Sequence, residues 1–140
     1  MEKTYHGSCH CGAVRFEAAI DLAAGTSRCN CSICTRARFW KSVIKADAFR
    51  LIDGVEALTE YQFGDRNIRH FFCKTCGVKP FGRVHLDGEC GGQPLRGEFY
   101  AVNVACLDDA TVKELADAPI VYEDGRHNDY EHPPAETRYL

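Results

Sequence analysis

Cys9-His10-Cys11-Gly12, Cys29-Asn30-Cys31-Ser32-Ile33-Cys34 and Cys73-Lys74-Thr75-Cys76-Gly77 hold seven of the nine cysteines of this 140-residue chain. Thiolates two or three residues apart can reach one small ion together, and Zn²⁺ prefers four sulfur or nitrogen ligands in a tetrahedron. Cys73-x-x-Cys76-Gly77 has the form of a zinc knuckle, in which a tight turn points both sulfurs the same way. Cys9-x-Cys11-Gly12 is shorter and ends on the same residue. Alternate side chains of an extended segment share a face, so Cys9 and Cys11 can hold an ion jointly. An ion shared by Cys9, Cys11, Cys73 and Cys76 cross-links two distant parts of the chain and contributes to folding directly. A redox C-x-x-C pair is the competing reading, and it lacks a βαβ context here.

The triplet Cys29, Cys31 and Cys34 closes a C-x-C-x-x-C loop around a second ion, with no fourth ligand written nearby. Three protein ligands and an exchangeable fourth position are the pattern of catalytic zinc. The alternative is a closed structural site, completed in space by His6, His70, His85, Cys90 or Cys106. Three thiolates leave Zn²⁺ with a net negative charge, which makes it a weak activator of water. An incoming thiol is a better guest, because zinc favours the nucleophilic thiolate form. The chemistry indicated is thiol capture, and a three-ligand ion is expected to be the more labile of the two.

Composition restricts the rest. A net charge of −3 and a pI near 6.0 give no electrostatic footprint for nucleic acid or an anionic membrane. That argues against a nucleic-acid-binding zinc ribbon. The N-terminus lacks the apolar stretch of a secretory signal, no apolar run is long enough to span a bilayer, and the odd cysteine count fits a disulfide scaffold poorly. The expectation is a cytoplasmic protein with metal-bound thiolates, folded as one domain over 1–140.

Short alternating runs predict strands over 14–18, 40–45, 49–52, 58–62, 67–72, 80–85 and 99–104, with turn residues between several of them. Thr35–Phe39 reads as a short turn. Residues 108–116 read as one C-terminal helix capped by Asp108 or Asp109, with Leu107, Val112 and Leu115 facing the core. The glycine-rich stretch 87–97 reads as a surface loop and 123–140 as a polar, partly mobile tail. The class is mainly β.

Gly7–Phe16, Cys29–Cys34 and Phe71–Val78, with weaker matches through 49–61 and 102–108, resemble the glutathione-dependent formaldehyde-activating enzyme family, part of the centromere protein V-like superfamily. The resemblance implies a small zinc-stapled β-tent of short antiparallel strands. It also implies two zinc sites: Cys9, Cys11, Cys73 and Cys76 around a structural ion, and Cys29, Cys31 and Cys34 around a catalytic one. The activity implied is that of a carbon–sulfur lyase, the reversible addition of glutathione to formaldehyde that gives S-hydroxymethylglutathione. The chain departs from relatives like the founding enzyme at Thr35–Trp40, where Phe39 and Trp40 are bulky, and again over 78–83. A non-catalytic zinc module for protein contacts is the alternative function.

Several other residues carry readings of their own. Arg36, Arg38 and Lys41 can pair with glutathione carboxylates or form a solvated basic face. Phe39, Trp40 and Phe71 read as core, with Phe71 and Phe72 shielding the knuckle. His10 is expected to point away from the ligands on either side of it. His70 can line the second site or pack elsewhere, while His127 and His132 are expected to be exposed. Cys106 reads as a small core residue and Cys90 as a loop thiol.

Overall fold

The structure, a computed structural model, describes residues 1–90 and 93–140. Ten strands form two sheets: β1 (Lys3–Ser8), β2 (Arg15–Ile20), β3 (Thr26–Cys29), β4 (Trp40–Lys45), β5 (Phe49–Asp53), β6 (Leu58–Tyr61), β7 (Ile68–Cys73), β8 (Phe81–Cys90), β9 (Gln93–Asn103) and β10 (Ile120–Glu123). The smaller sheet has the order β1-β2-β5, and the larger one runs β10-β3-β4-β9-β8-β7-β6. All pairings are antiparallel except β10 with β3, which is parallel. Among the described residues no helix is long and apolar enough to cross a membrane.

Alternation puts Phe16, Ala18 and Ile20 of β2 on the inner face, each at most 1% exposed. They share a core with Phe81 and Val102 of the larger sheet and with Val104 just after β9, and Val14 belongs to the same core. Phe49 stacks on Tyr100 at 4.1 Å and lies 5.5 Å from Phe16, joining the two sheets through aromatic faces. Fully burying such a side chain contributes roughly 1.5–3 kcal/mol, so this layer holds the sheets together independently of any metal.

Two short helices accompany the sheets, α1 (Ser32–Ala37) and α2 (Val112–Asp117). The first occupies the place of the expected turn after the cysteine triplet. The second starts later than expected, because Thr111 caps it. The Thr111 hydroxyl accepts from the Glu114 N–H at 3.1 Å, and the Glu114 carboxylate accepts from the Thr111 N–H at 2.7 Å. Asp108 and Asp109, the expected caps, instead accept bonds from Ser8 and His6 of β1. Leu107 is buried and Leu115 packs on the core, while Val112, the first residue of the helix, is exposed and does not face the core.

Over its described residues, 87–90 and 93–97, the stretch expected as a surface loop is strand. Asp87–Cys90 pairs residue by residue with Gln93–Arg96, extending the β8–β9 hairpin well beyond the expected strand ends. Gly88 and Gly97 lie within a ladder whose register is already fixed by Phe81–Leu86, and Gly97 takes a φ of 106° inside it. Cys90 therefore ends a strand; the reading of its side chain falls outside the described residues. Three strands escaped the sequence reading. β1 buries only Tyr5 and Gly7, β3 is four mostly polar residues, and β10 ends at Glu123, where the polar tail is expected to start.

Candidate metal centres

The β1–β2 turn and the end of β7 meet where the two sheets converge. Cys9 and Cys11 lie in that turn, Cys73 ends β7, and Cys76 follows in the turn leading to β8. Their four sulfurs lie within 4.8 Å of one another. The separations Cys9–Cys11 and Cys11–Cys73 are 3.7 and 3.6 Å. A tetrahedron with metal–sulfur bonds of about 2.3 Å has edges of about 3.8 Å, so the spacing fits zinc.

Each pair is followed by a glycine with positive φ, Gly12 at 80° and Gly77 at 77°. That conformation is easiest for glycine, and it curls the chain so that backbone N–H groups face the sulfurs. The Val14 N–H donates to Cys9 Sγ at 3.3 Å. The N–H groups of Cys11 and Val78 hold the Cys76 thiol down at about 6, which favours the thiolate that a metal requires. Cys106 is buried nearby and is not part of the foursome; burial, then the Asp108 charge, pushes its thiol up to about 12. It is the small core residue expected.

The second cluster is built on one short piece of chain. Cys29 ends β3 with its side chain buried, Cys31 is the N-cap of α1 in extended conformation, and Cys34 lies in the first turn of that helix. Their sulfurs also lie within 4.8 Å of one another, and among the described residues no fourth histidine, cysteine or carboxylate joins them. Of the candidates for a fourth ligand, His6 bonds Asp109, His85 bonds Glu98, and His70 bonds Lys79. Cys31 is held well below the usual thiol range, because it accepts hydrogen bonds from Cys29 and then Cys34. Negative charge therefore gathers on the middle cysteine, a donor set suited to a soft divalent ion such as zinc.

What surrounds the triplet was largely invisible in the sequence. The buried Asn30 side chain donates to Asp124 at 2.7 Å, and its oxygen accepts from the Arg126 N–H at 2.9 Å. These bonds clamp residues 124–126 onto the cluster, so close that a Cβ on Gly125 would lie 2.5 Å from Cys29 Sγ. Lys41 of β4 forms an ion pair with Glu123 of β10, bridging over β3. Arg38 donates to the Tyr139 carbonyl at 2.5 Å, and Arg36 bonds the Ser32 carbonyl within its own helix. Lys41 and Arg38 thus fasten the C-terminal segment, which folds back across the triplet.

A half-buried lysine that the sequence reading passed over lies on the same side. Lys79 donates to His70 Nδ1 at 2.7 Å and rests over the Phe39 ring at 4.1 Å. Burial pushes Lys79 down to about 8, opposed by the thiolate charges of Cys34 and Cys31. Burial and then the Lys79 charge push His70 down to about 4, so its ring is neutral and accepts at Nδ1. Phe39 is buried, and Trp40 donates its indole N–H to Thr26 at 2.7 Å, so both belong to the packed structure. A small cavity of about 10 Å³ borders the sulfurs of this cluster, lined by Cys29, Cys34, Thr35, Phe39 and Leu140 among others. His10, His127 and His132 are exposed, the last two bonded to Asp124 and Asp129.

Two comparisons bear on this arrangement. A crystal structure of a Rhodobacter sphaeroides protein, determined as a structural-genomics target, superposes with a TM-score of 0.64 at 35% identity. The match covers 83% of this chain and 99% of that one. The family model described as glutathione-dependent formaldehyde-activating enzyme matches residues 4–123, a span that holds all seven clustered cysteines and ends with β10. The chain belongs to the glutathione-dependent formaldehyde-activating enzyme family.

Proposed function

We propose that this protein is a two-zinc carbon–sulfur lyase that adds a thiol, glutathione in the first instance, reversibly to formaldehyde. In this reading Cys9, Cys11, Cys73 and Cys76 hold a structural ion, and Cys29, Cys31 and Cys34 hold the ion at which the thiol is captured. The single observation that carries it is the convergence of three sulfurs, and no fourth protein ligand among the described residues, beside a lined cavity. A zinc ion in that setting favours the thiolate form of an incoming thiol.

The protein's own groups do the remaining work. Asn30 and the Lys41–Glu123 pair fix the chain on either side of Cys29, so the three sulfurs are preorganised. Lys79 and Lys41 place positive charge beside a cluster that is negative overall, which favours holding an anionic sulfur there. Phe39 and Leu140 give the cavity apolar surface beside the cationic Arg28 and Arg38.

The test is zinc content together with turnover of glutathione and formaldehyde by the purified protein. Close to two zinc ions per chain are expected. Cys31→Ser should retain the structural ion and the fold while losing thiol-dependent turnover. Wild-type protein with both ions and no turnover would remove the enzymatic reading in favour of a non-catalytic zinc module.

A further inference from the structure

Lys79 is anchored from its backbone to its charge. Its carbonyl accepts from the Asn103 side chain at 2.9 Å, and the carbonyl of the buried Pro80 that follows accepts from the Asn103 N–H at 2.9 Å. The stem then crosses β8 at Gly82, where a Cβ would lie 3.8 Å from Lys79 Cε. Gly82 pairs with His70 of β7, and there the ammonium meets His70 Nδ1 at 2.7 Å. His70 is fixed in turn: it is 4% exposed, and its ring stacks on Phe63 at 5.5 Å with 16° between the planes. The charge held in this way has no carboxylate partner among the described residues. Other cations near the triplet are engaged differently. Lys41 pairs with Glu123, Arg28 lies over the Trp40 ring at 5.3 Å, and the exposed Arg38 bonds the Tyr139 carbonyl. Burial opposes the Lys79 charge, and the negative charges of Cys34 and then Cys31 sustain it. A partly buried charge is retained where opposite charge compensates it, and here the triplet supplies that charge.

We propose that His70 and Lys79 make the triplet centre select an anionic guest over a neutral one, with Lys79 as the counter-ion and His70 as the residue that positions it. The inference rests on the thiol-capture reading given above and adds to it a rule of selection and two positioning residues. Three thiolates around a divalent ion leave one negative charge. A neutral guest leaves that charge unchanged, whereas a thiol that gives its proton to water and binds through sulfur makes it two. A cation fixed in a partly buried place interacts more strongly with two charges than with one, so it favours the thiolate. Loading the ion itself changes the local charge less, because cysteine ligands lose their protons as they bind. Lys79 therefore acts on the guest and not on retention of the ion. Its attraction acts on the sulfur and needs no carboxylate or peptide on the thiol.

The experiment measures binding of β-mercaptoethanol, glutathione and S-methylglutathione to the zinc-loaded protein by calorimetry, with zinc content determined in parallel. The first probe has a thiol and no carboxylate; the last has carboxylates and no free thiol. Wild type is compared with Lys79→Met, which keeps a long apolar stem and removes the charge, and with Lys79→Arg, which restores a charge. Lys79→Met should weaken binding of β-mercaptoethanol and glutathione alike, by roughly 5- to 30-fold. Binding of S-methylglutathione and zinc content should be unchanged, and Lys79→Arg should recover most of the affinity for the two thiols. His70→Phe keeps a ring to stack on Phe63 and removes the acceptor, so it should weaken both thiols by a smaller factor, roughly 2- to 5-fold. Unchanged binding of β-mercaptoethanol to Lys79→Met overturns the inference and leaves the thiol-capture reading standing. A loss confined to glutathione and S-methylglutathione assigns Lys79 to carboxylate binding and overturns it too. Loss of zinc from both Lys79→Met and Lys79→Arg assigns the lysine to the scaffold, with the same consequence. A wild type that binds neither thiol removes the underlying reading and this inference with it.

Discussion

Gly125 lacks a side chain where one would collide with the candidate reaction centre. A Cβ there would sit 2.5 Å from Cys29 Sγ and 3.1 Å from Cys31 Cβ. Its φ lies outside the left-handed region, so the constraint is contact with the sulfurs and not backbone strain. Gly125→Ala should therefore displace Cys29 and lower occupancy of the triplet metal while leaving the four-cysteine site filled. Overpacking of this kind costs about 1–3 kcal/mol. Zinc stoichiometry falling from two toward one, with a modest loss in urea stability, is the expected outcome; full occupancy of both sites would refute it. The three cysteine groups at 9–11, 29–34 and 73–76 were legible at this scale because each is written in local spacing. Asn30, Lys79 and Gly125 were not, because a polar or small residue carries no sign of which distant backbone it meets.

At the scale of elements, α2 is too short to persist on its own propensity and depends on its first turn. Replacing Thr111 with alanine removes half of the reciprocal cap and should cost about 1 kcal/mol in denaturant unfolding. Glu114 also binds Lys3 at 2.6 Å and the Tyr5 hydroxyl at 2.9 Å, tying the helix to β1. Lys3, the Thr111 N–H and Tyr5 hold the Glu114 carboxyl down at about 2, from an ordinary value of 4.5. A carboxyl depressed on folding contributes stability that is fully present above its unfolded value. That contribution disappears as pH falls through the folded value. Stability should thus decline between about pH 4.5 and 2, and Glu114→Gln should flatten that part of the profile when unfolding is followed by circular dichroism. The T-x-x-E signature at 111–114 was present in the sequence. The neighbouring aspartates competed with it as caps until β1 claimed them.

Across the whole molecule, the two cysteine clusters have different mechanical roles. The four-cysteine cluster joins the β1–β2 turn of the smaller sheet to the end of β7 in the larger one. The triplet lies within one segment, from the end of β3 to α1. Cys73→Ser should accordingly lower the melting temperature far more than Cys31→Ser, because only the first links segments distant in sequence. Chelation should follow the same order, with the triplet metal leaving before the fold is lost. Calorimetry on zinc-loaded and partly stripped protein distinguishes the two; equal destabilisation by both substitutions would contradict this division.

By itself the sequence determined which cysteines group, the mainly β class, most strand positions and the family, since each is written in local spacing or alternation. Only the tertiary structure decided how the triplet is enclosed. Residues 124–140, beyond the span matched by the family model, follow the parallel β10–β3 pair and fold back through bonds to Asn30 and Arg38. The long β8–β9 hairpin was likewise decided by pairing, which overrode the turn preference of Gly88 and Gly97. For the enclosure of the triplet the physical reason is separation along the chain. A hydrogen bond or contact between residues some hundred positions apart has no local signature, so it becomes visible only when the chain has closed on itself.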